Sequence, residues 1–270
     1  MTPSTAPLAH REFVQRTVER LSADARFVGL AAAGSWAENN MDEFSDLDLL
    51  LAVEPGFIDD VMAQRHVIAQ SLGELLTSFT GEHVGEPRLI IGLYDKPLLH
   101  VDLKFVALDD IADRVDEPVV IWERDARLTR ALSASRGVFP PPNAQWIEDR
   151  FWIWIHAAAS RVARGELFDA IEFLSFLRVN VLGPLSLQQA GRKPMGTRRV
   201  ETALPEFTRE LVGTLAGHDK QSCFAAIEQC AELYRRLRTG SVTRHEDAEI
   251  AAMAYLARVR APLPTSAGAR

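Results

Sequence analysis

Apolar and polar positions divide the chain into two stretches with different periods. Val14, Val18 and Leu21 fall on one face at helical spacing, and "FVGLAAAGS" then reads as a short buried strand ending at Gly34-Ser35. A second apolar strand begins at "DLDLLLAV" (46–53). Ile58, Val61, Val67, Ile68, Leu72 and Leu75 predict a helix over 58–77. "RLIIGLY" (88–94) and "LLHVDLKFVAL" (98–108) predict two antiparallel strands joined by a turn at 95–97, and "VVIWERDARLTRAL" adds a short strand and a helix. At 137–145 the pattern stops in "GVFPPPNAQ", whose three consecutive prolines cannot continue a helix and favour a stiff connector. Beyond it the period is 3.6 throughout. Stripes run through Ile147, Phe151, Ile155, Ala158 and Val162, through Ile171, Leu174, Leu177 and Val181, through Phe224, Ile227, Ala231 and Tyr234, and through Ile250, Met253 and Ala257. The expected fold class is α+β: an N-terminal domain, 1–139, with a mixed sheet and helices, followed by a C-terminal helical bundle, 140–270. The tail at 262–270 is expected to be frayed.

Composition narrows the function classes. A net charge of −7 argues against a protein that grips nucleic acid through its phosphates, so no nucleic-acid partner is expected. Cys223 and Cys230 are the only cysteines, too few for a disulfide framework or a four-ligand zinc site; they read as buried thiols in a reducing compartment. "MTPSTAPLAH" lacks the pattern of a secretory signal, and no apolar run is read as approaching the roughly 20 residues of a membrane span. A cytoplasmic protein without a membrane partner is expected.

Against this background "GSWAENNMDEFSDLDLLLAV" (34–53) stands out. Asp46 and Asp48 alternate with leucines, so they project from one face while Leu47 and Leu49 face apolar packing. Two carboxylates so close repel each other unless a cation or a proton lies between them. Mg2+ relieves that repulsion, because it takes oxygen ligands and leaves coordination positions for substrate phosphates. Asp102, between Val101 and Leu103 in another apolar strand, offers a third carboxylate. Three such groups can hold two metal ions, one activating an attacking oxygen and one gripping a triphosphate. Gly34 lets backbone approach a phosphate, while Ser35 is expected to cap the next helix and face the anion. The stretch therefore predicts Mg2+ and a nucleoside triphosphate.

The order Gly-Ser, ten residues, "DLDLL", then "HVDLKF" resembles the signature of the nucleotidyltransferase superfamily, whose fold is shared by DNA polymerase β and the antibiotic adenylyltransferases. "WIWIHAAASRVARGELFDAIEFLSFLR" (152–178) is similar to the start of the helical domain in lincosamide nucleotidyltransferases and aminoglycoside adenylyltransferases, and "VVIWERDARLTRAL" to the segment closing their first domain. The resemblance implies transfer of AMP from ATP to a hydroxyl of a small molecule, as in antibiotic resistance, with release of pyrophosphate. It also implies a substrate-binding C-terminal domain. There a carboxylate takes the proton of the acceptor hydroxyl or binds its amines, and Glu166 and Glu172 occupy the matching positions, with Asp169 third. A homodimer is common among such two-domain transferases.

Other residues keep two readings each. Lys193, Arg198 and Arg199 are triphosphate partners or a solvated basic loop. Lys104 shares the face of Asp102 and meets phosphate or plain solvent. His100 shares it too and reads as a partly buried structural histidine, while Trp152 and Trp154 read as helical core before ring-stacking residues. The rival functions are the same chemistry on a protein or RNA acceptor, and a low-turnover binding or antitoxin-like partner.

Overall fold

The computed structural model describes residues 2–238, 240 and 242–261, so the expected frayed tail lies outside the described residues. Contacts divide the chain into two units, Met1–Phe139 and Pro140–Arg270. The first is a mixed α+β unit. In chain order it contains α1 (Leu8–Ser22), β1 (Phe27–Ala32), α2 (Gly34–Ala37), β2 (Leu47–Val53), α3 (Ile58–Gln70), β3 (Glu74–Gly81), β4 (Glu86–Asp95), β5 (Leu99–Ala107), β6 (Val119–Glu123) and α4 (Arg127–Ser133). The strands form one six-stranded sheet in the order β3-β4-β5-β2-β1-β6. β2 and β5 run parallel, and every other neighbouring pair is antiparallel.

Strand alternation assigns the two faces. Leu47, Leu49 and Leu51 of β2, Val101, Leu103 and Phe105 of β5, and Ile90 and Tyr94 of β4 pack with Phe13, Val14 and Leu21 of α1 and Val61, Ile68 and Ala69 of α3. Each leucine buried there contributes about 1.5–3 kcal/mol, which fixes the register, because a one-residue slip would turn the whole set to the other face. The opposite face carries a smaller cluster in which Val28, Ala31, Ala52 and Val106 meet Ile111 and Leu128.

The helix expected over 58–77 is shorter. α3 ends at Gln70, where Ser71 Oγ donates to the Ile68 carbonyl (2.7 Å), and Glu74–Gly81 is an edge strand paired with β4. Leu72 and Leu75 fit a helical stripe and a strand equally well. Tertiary pairing decides between them: Leu75 lies opposite Tyr94, whose hydroxyl donates to the Ala69 carbonyl at 2.9 Å.

The second unit holds α5 (Ala144–Arg164), α6 (Leu167–Leu177), a π-helical turn (Arg178–Leu182), α7 (Gly183–Gln189), α8 (Val200–Ala203), α9 (Pro205–Leu211), α10 (Lys220–Leu237) and α11 (Glu246–Arg260). The Asn143 and Asp219 side chains cap α5 and α10 by accepting from the Trp146 and Ser222 amides, at 2.9 and 2.8 Å. Trp152, Cys223 and Cys230 are buried in this unit's core, and burial pushes the Cys230 thiol up to about 12. One sequence expectation needs correcting. Leu167–Gln189 is continuous helix, long and apolar enough to cross a membrane by length and composition, although the sequence was read as having no such run. Leu174, Leu177, Val181, Leu182 and Leu185 belong to the unit's core, which accounts for its apolar character.

At the centre of that core Glu148 is buried. Tyr234 donates to its Oε2 (2.6 Å), Trp152 Nε1 and the His245 amide donate to Oε1 (3.3 and 3.1 Å), and Arg238 Nη1 lies 3.6 Å away. Burial by itself would raise this carboxyl, yet the three donors and Arg238 hold it below the ordinary range. Its stabilising contribution is therefore present at neutral pH and lost as the pH falls through that lowered value. Glu148→Gln should cost about 3 kcal/mol in urea unfolding at pH 7, and the difference from the parent should shrink in acid.

Candidate active site

Parallel pairing of β2 with β5 sets Asp48 directly opposite Asp102. Partners in register project from the same face about 4.8 Å apart, so two carboxylates stand side by side on neighbouring strands, with His100 and Lys104 flanking Asp102 on that face. Asp46 lies one residue before β2. β5 is flanked by β4 and β2, so Asp102 is not a charge guarding a sheet edge.

The Asp102 side chain is 21% exposed, and burial, followed by the repulsion of Asp46, raises its carboxyl above the ordinary value, with His100 opposing. His100 Nε2 lies 3.0 Å from Oδ1. The Oδ1 atom is otherwise buried, and a buried carboxylate oxygen is costly unless a donor or a cation faces it. His100, expected to be partly buried, is exposed beside Asp102. The signal for this contact in the sequence was the period-two spacing of His100 from Asp102.

Gly34 supplies the other wall. It follows β1 at φ +55°, a left-handed conformation that favours glycine, and a Cβ placed on it would lie 2.2 Å from Asp48 Oδ2. The Ala33 amide donates to the Asp48 carbonyl at 2.9 Å. The β1–α2 junction and the Asp48 carboxylate are thus packed backbone against side chain. The expected Ser35 cap differs: α2 is a single turn, Ala33 holds the capping position, and Ser35 lies buried within the helix with no side-chain capping bond.

Among the described residues no group of three or more His, Cys, Asp or Glu side chains could hold a metal ion, so the three carboxylates do not form the ready-made cluster expected from the sequence. The donor set nevertheless suits Mg2+, which typically binds through one or two carboxylates together with water and substrate phosphates. Asp48 and Asp102 provide that much. Lys104, a candidate phosphate contact, is committed to Glu86 at 2.7 Å.

Gly34, Asp46, Asp48 and Asp102 therefore cluster in the first unit. Glu166 and Glu172 belong to the second. Arg164 clamps Glu166 in a two-pronged ion pair (2.8 and 2.7 Å) and lowers its carboxyl, which makes it a weaker proton acceptor. Glu172 is exposed on α6, and Asp169 pairs with Arg161 at 2.5 Å.

Two outcomes test this geometry. Because the Asp102 carboxyl is raised, its ionised form destabilises the fold at neutral pH, and that penalty disappears in acid. Asp102→Asn should therefore raise the melting temperature at pH 7 by roughly 2–4 °C, equivalent to about 1 kcal/mol, with no gain near pH 3. Gly34→Ala should cost roughly 1–2 kcal/mol from backbone strain plus the clash with Asp48. In a double-mutant cycle read by urea unfolding, the cost should be smaller in an Asp48→Ala background.

No protein-family model matches the chain, and no curated protein matches it. Among solved structures the chain is similar to an aminoglycoside 6-adenyltransferase from Bacillus subtilis, with 14% identity and a TM-score of 0.40 over 91% of this chain and 96% of that one. It is similar to a nucleotidyltransferase-like protein from Exiguobacterium sibiricum, with 16% identity and a TM-score of 0.39 over 83% and 74% of the two chains. A spectinomycin adenyltransferase from Enterococcus faecialis, solved with ATP and spectinomycin, is similar at 10% identity and a TM-score of 0.31 over 93% and 99%.

Proposed function

We propose that the chain is a metal-dependent nucleotidyltransferase that moves a nucleoside monophosphate, AMP from ATP first among them, to a hydroxyl of a small molecule and releases pyrophosphate. One observation carries the reading: Asp48 and Asp102 stand in register on neighbouring parallel strands, with Asp102 largely buried and side-chain-free Gly34 against Asp48. Such an arrangement is costly unless the fold over-determines it, and a cation would relieve it.

In this reading Asp48 and Asp102, with Asp46 beside them, would hold Mg2+ together with the substrate phosphates, and the bound ion would supply charge neutralisation for the triphosphate and activation of the acceptor oxygen. Gly34 admits phosphate close to the backbone, and Ser35 lies beside it in α2. The acceptor oxygen bonds to the α-phosphorus, its proton passes to a base, and the bond to the departing pyrophosphate breaks. Of the two glutamates named as candidate bases, Glu166 is the poorer, because Arg164 already occupies its carboxylate. Most of the rate enhancement comes from positioning and charge neutralisation. Hydroxyl-bearing antibiotics of the aminoglycoside and lincosamide classes are the acceptors to test first, and a cytoplasmic homodimer is the proposed working form.

The test is pyrophosphate release by the full chain with Mg2+, each of the four triphosphates and a panel of those antibiotics. Acceptor-dependent release is expected, and Asp48→Asn should reduce it at least about 100-fold while circular dichroism stays unchanged. Undiminished turnover in Asp48→Asn would sink the proposal.

A further inference from the structure

The face that carries the carboxylates also carries side chains with no role in the chemistry described so far. Register aligns four residues in one row across the sheet: Phe79 of β3 opposite Ile91 of β4, Ile91 opposite Asp102 of β5, and Asp102 opposite Asp48 of β2. Flanking rows set Leu93 opposite His100 and Leu89 opposite Lys104. Partners in register share a face, so an apolar strip of Phe79, Leu89, Ile91 and Leu93 begins one strand away from Asp102. Its far end lies about 10 Å, or two strand spacings, from that carboxylate.

This strip is not part of the described core. Ile90 and Tyr94, the alternate residues of β4, belong to the cluster under α1 and α3, whereas Leu89, Ile91, Leu93 and Phe79 belong to none of the core clusters. Phe79 is 52% exposed, and the His83 ring lies 5.5 Å from it. Gly34 follows β1, on the other side of the carboxylates in the strand order β3-β4-β5-β2-β1. With phosphate placed at Gly34, the strip extends in the opposite direction, where an attacking group approaches the far side of the reacting phosphorus.

We propose that Phe79, Ile91 and Leu93 form the seat for the apolar part of the acceptor, so that the acceptor is an amphiphile bearing its reacting hydroxyl within about 10 Å of an apolar or ring-bearing body. This rests on the nucleotidyl-transfer reading and narrows it, since a uniformly polar polycationic sugar offers nothing to an aliphatic and aromatic strip.

Two measurements on the full chain separate the inference from the reading beneath it. The first titrates the neutral apolar dye N-phenyl-1-naphthylamine into the parent, Phe79→Ser, Phe79→Leu and Val67→Ser; Val67 is an exposed residue of α3, which covers the other face. Saturable binding is expected in the parent and in Val67→Ser, about tenfold weaker in Phe79→Ser and largely recovered in Phe79→Leu. Equal binding by the parent and Phe79→Ser overturns the seat. The second measures the KM values of any acceptor that supports pyrophosphate release. Phe79→Ser should raise the acceptor KM about tenfold and leave kcat and the ATP KM unchanged, the signature of lost uniform binding. An unchanged acceptor KM overturns the seat and leaves nucleotidyl transfer standing. Phe79-dependent dye binding without turnover on any triphosphate sinks the transfer reading and supports an apolar site on this face. Self-association that disappears in Phe79→Ser would assign the strip to a second copy of the chain and overturn the proposal.

Discussion

Everything at the candidate site depends on the parallel pairing of β2 with β5. Two strands from distant parts of the chain are held in one register by the burial of Leu47, Leu49 and Leu51 against Val101, Leu103 and Phe105. The same register forces Asp48 beside Asp102 on the reverse face. Hydrophobic packing on one side thus balances electrostatic repulsion on the other. Each buried leucine contributes about 1.5–3 kcal/mol, enough to hold carboxylates that would separate if only their mutual charge were at stake. Burial, with the repulsion of Asp46 behind it, raises the Asp102 carboxyl there.

Much of this was legible in the chain. Alternation along "DLDLLLAV" and "HVDLKFV" marked both strands and put each aspartate opposite in character to its neighbours, because a side-chain period of two leaves a clear trace in the sequence. The proline break at 140–142 and the 3.6-residue stripes marked where strands give way to helices. β3 was hidden because "LGELLTSFTG" satisfies a helical stripe as readily as a strand, and only the pairing with β4 decides between them. Pairing between distant strands leaves no local trace, and the Phe79–Ile91–Asp102–Asp48 row could not be read before β3, β4 and β5 were in register, whereas the spacing of His100 and Asp102 lay within one strand.

The helical unit shows a different limit. Composition placed Trp152 and the two cysteines in a core, and they are buried there. Nothing in the spacing of Glu148, Tyr234 and Arg238 announced that they would meet, since a buried glutamate in "AQWIEDRF" looks like any helix-surface acid. For Glu166 the adjacent Arg164 was visible in the sequence, but the two-pronged geometry that occupies the carboxylate was not. Polar residues are identified by their partners, and partners are tertiary facts.

The long apolar stretch Leu167–Gln189 has a consequence for how the chain is made. Its inward face packs in one core with Cys223, Phe224, Ile227 and Cys230, residues synthesised some 35 to 60 positions later. At roughly 5–20 residues per second of translation, that face waits about 2–12 seconds for its partners. Until then the face is transiently exposed apolar surface, the kind that makes a folding chain prone to aggregate.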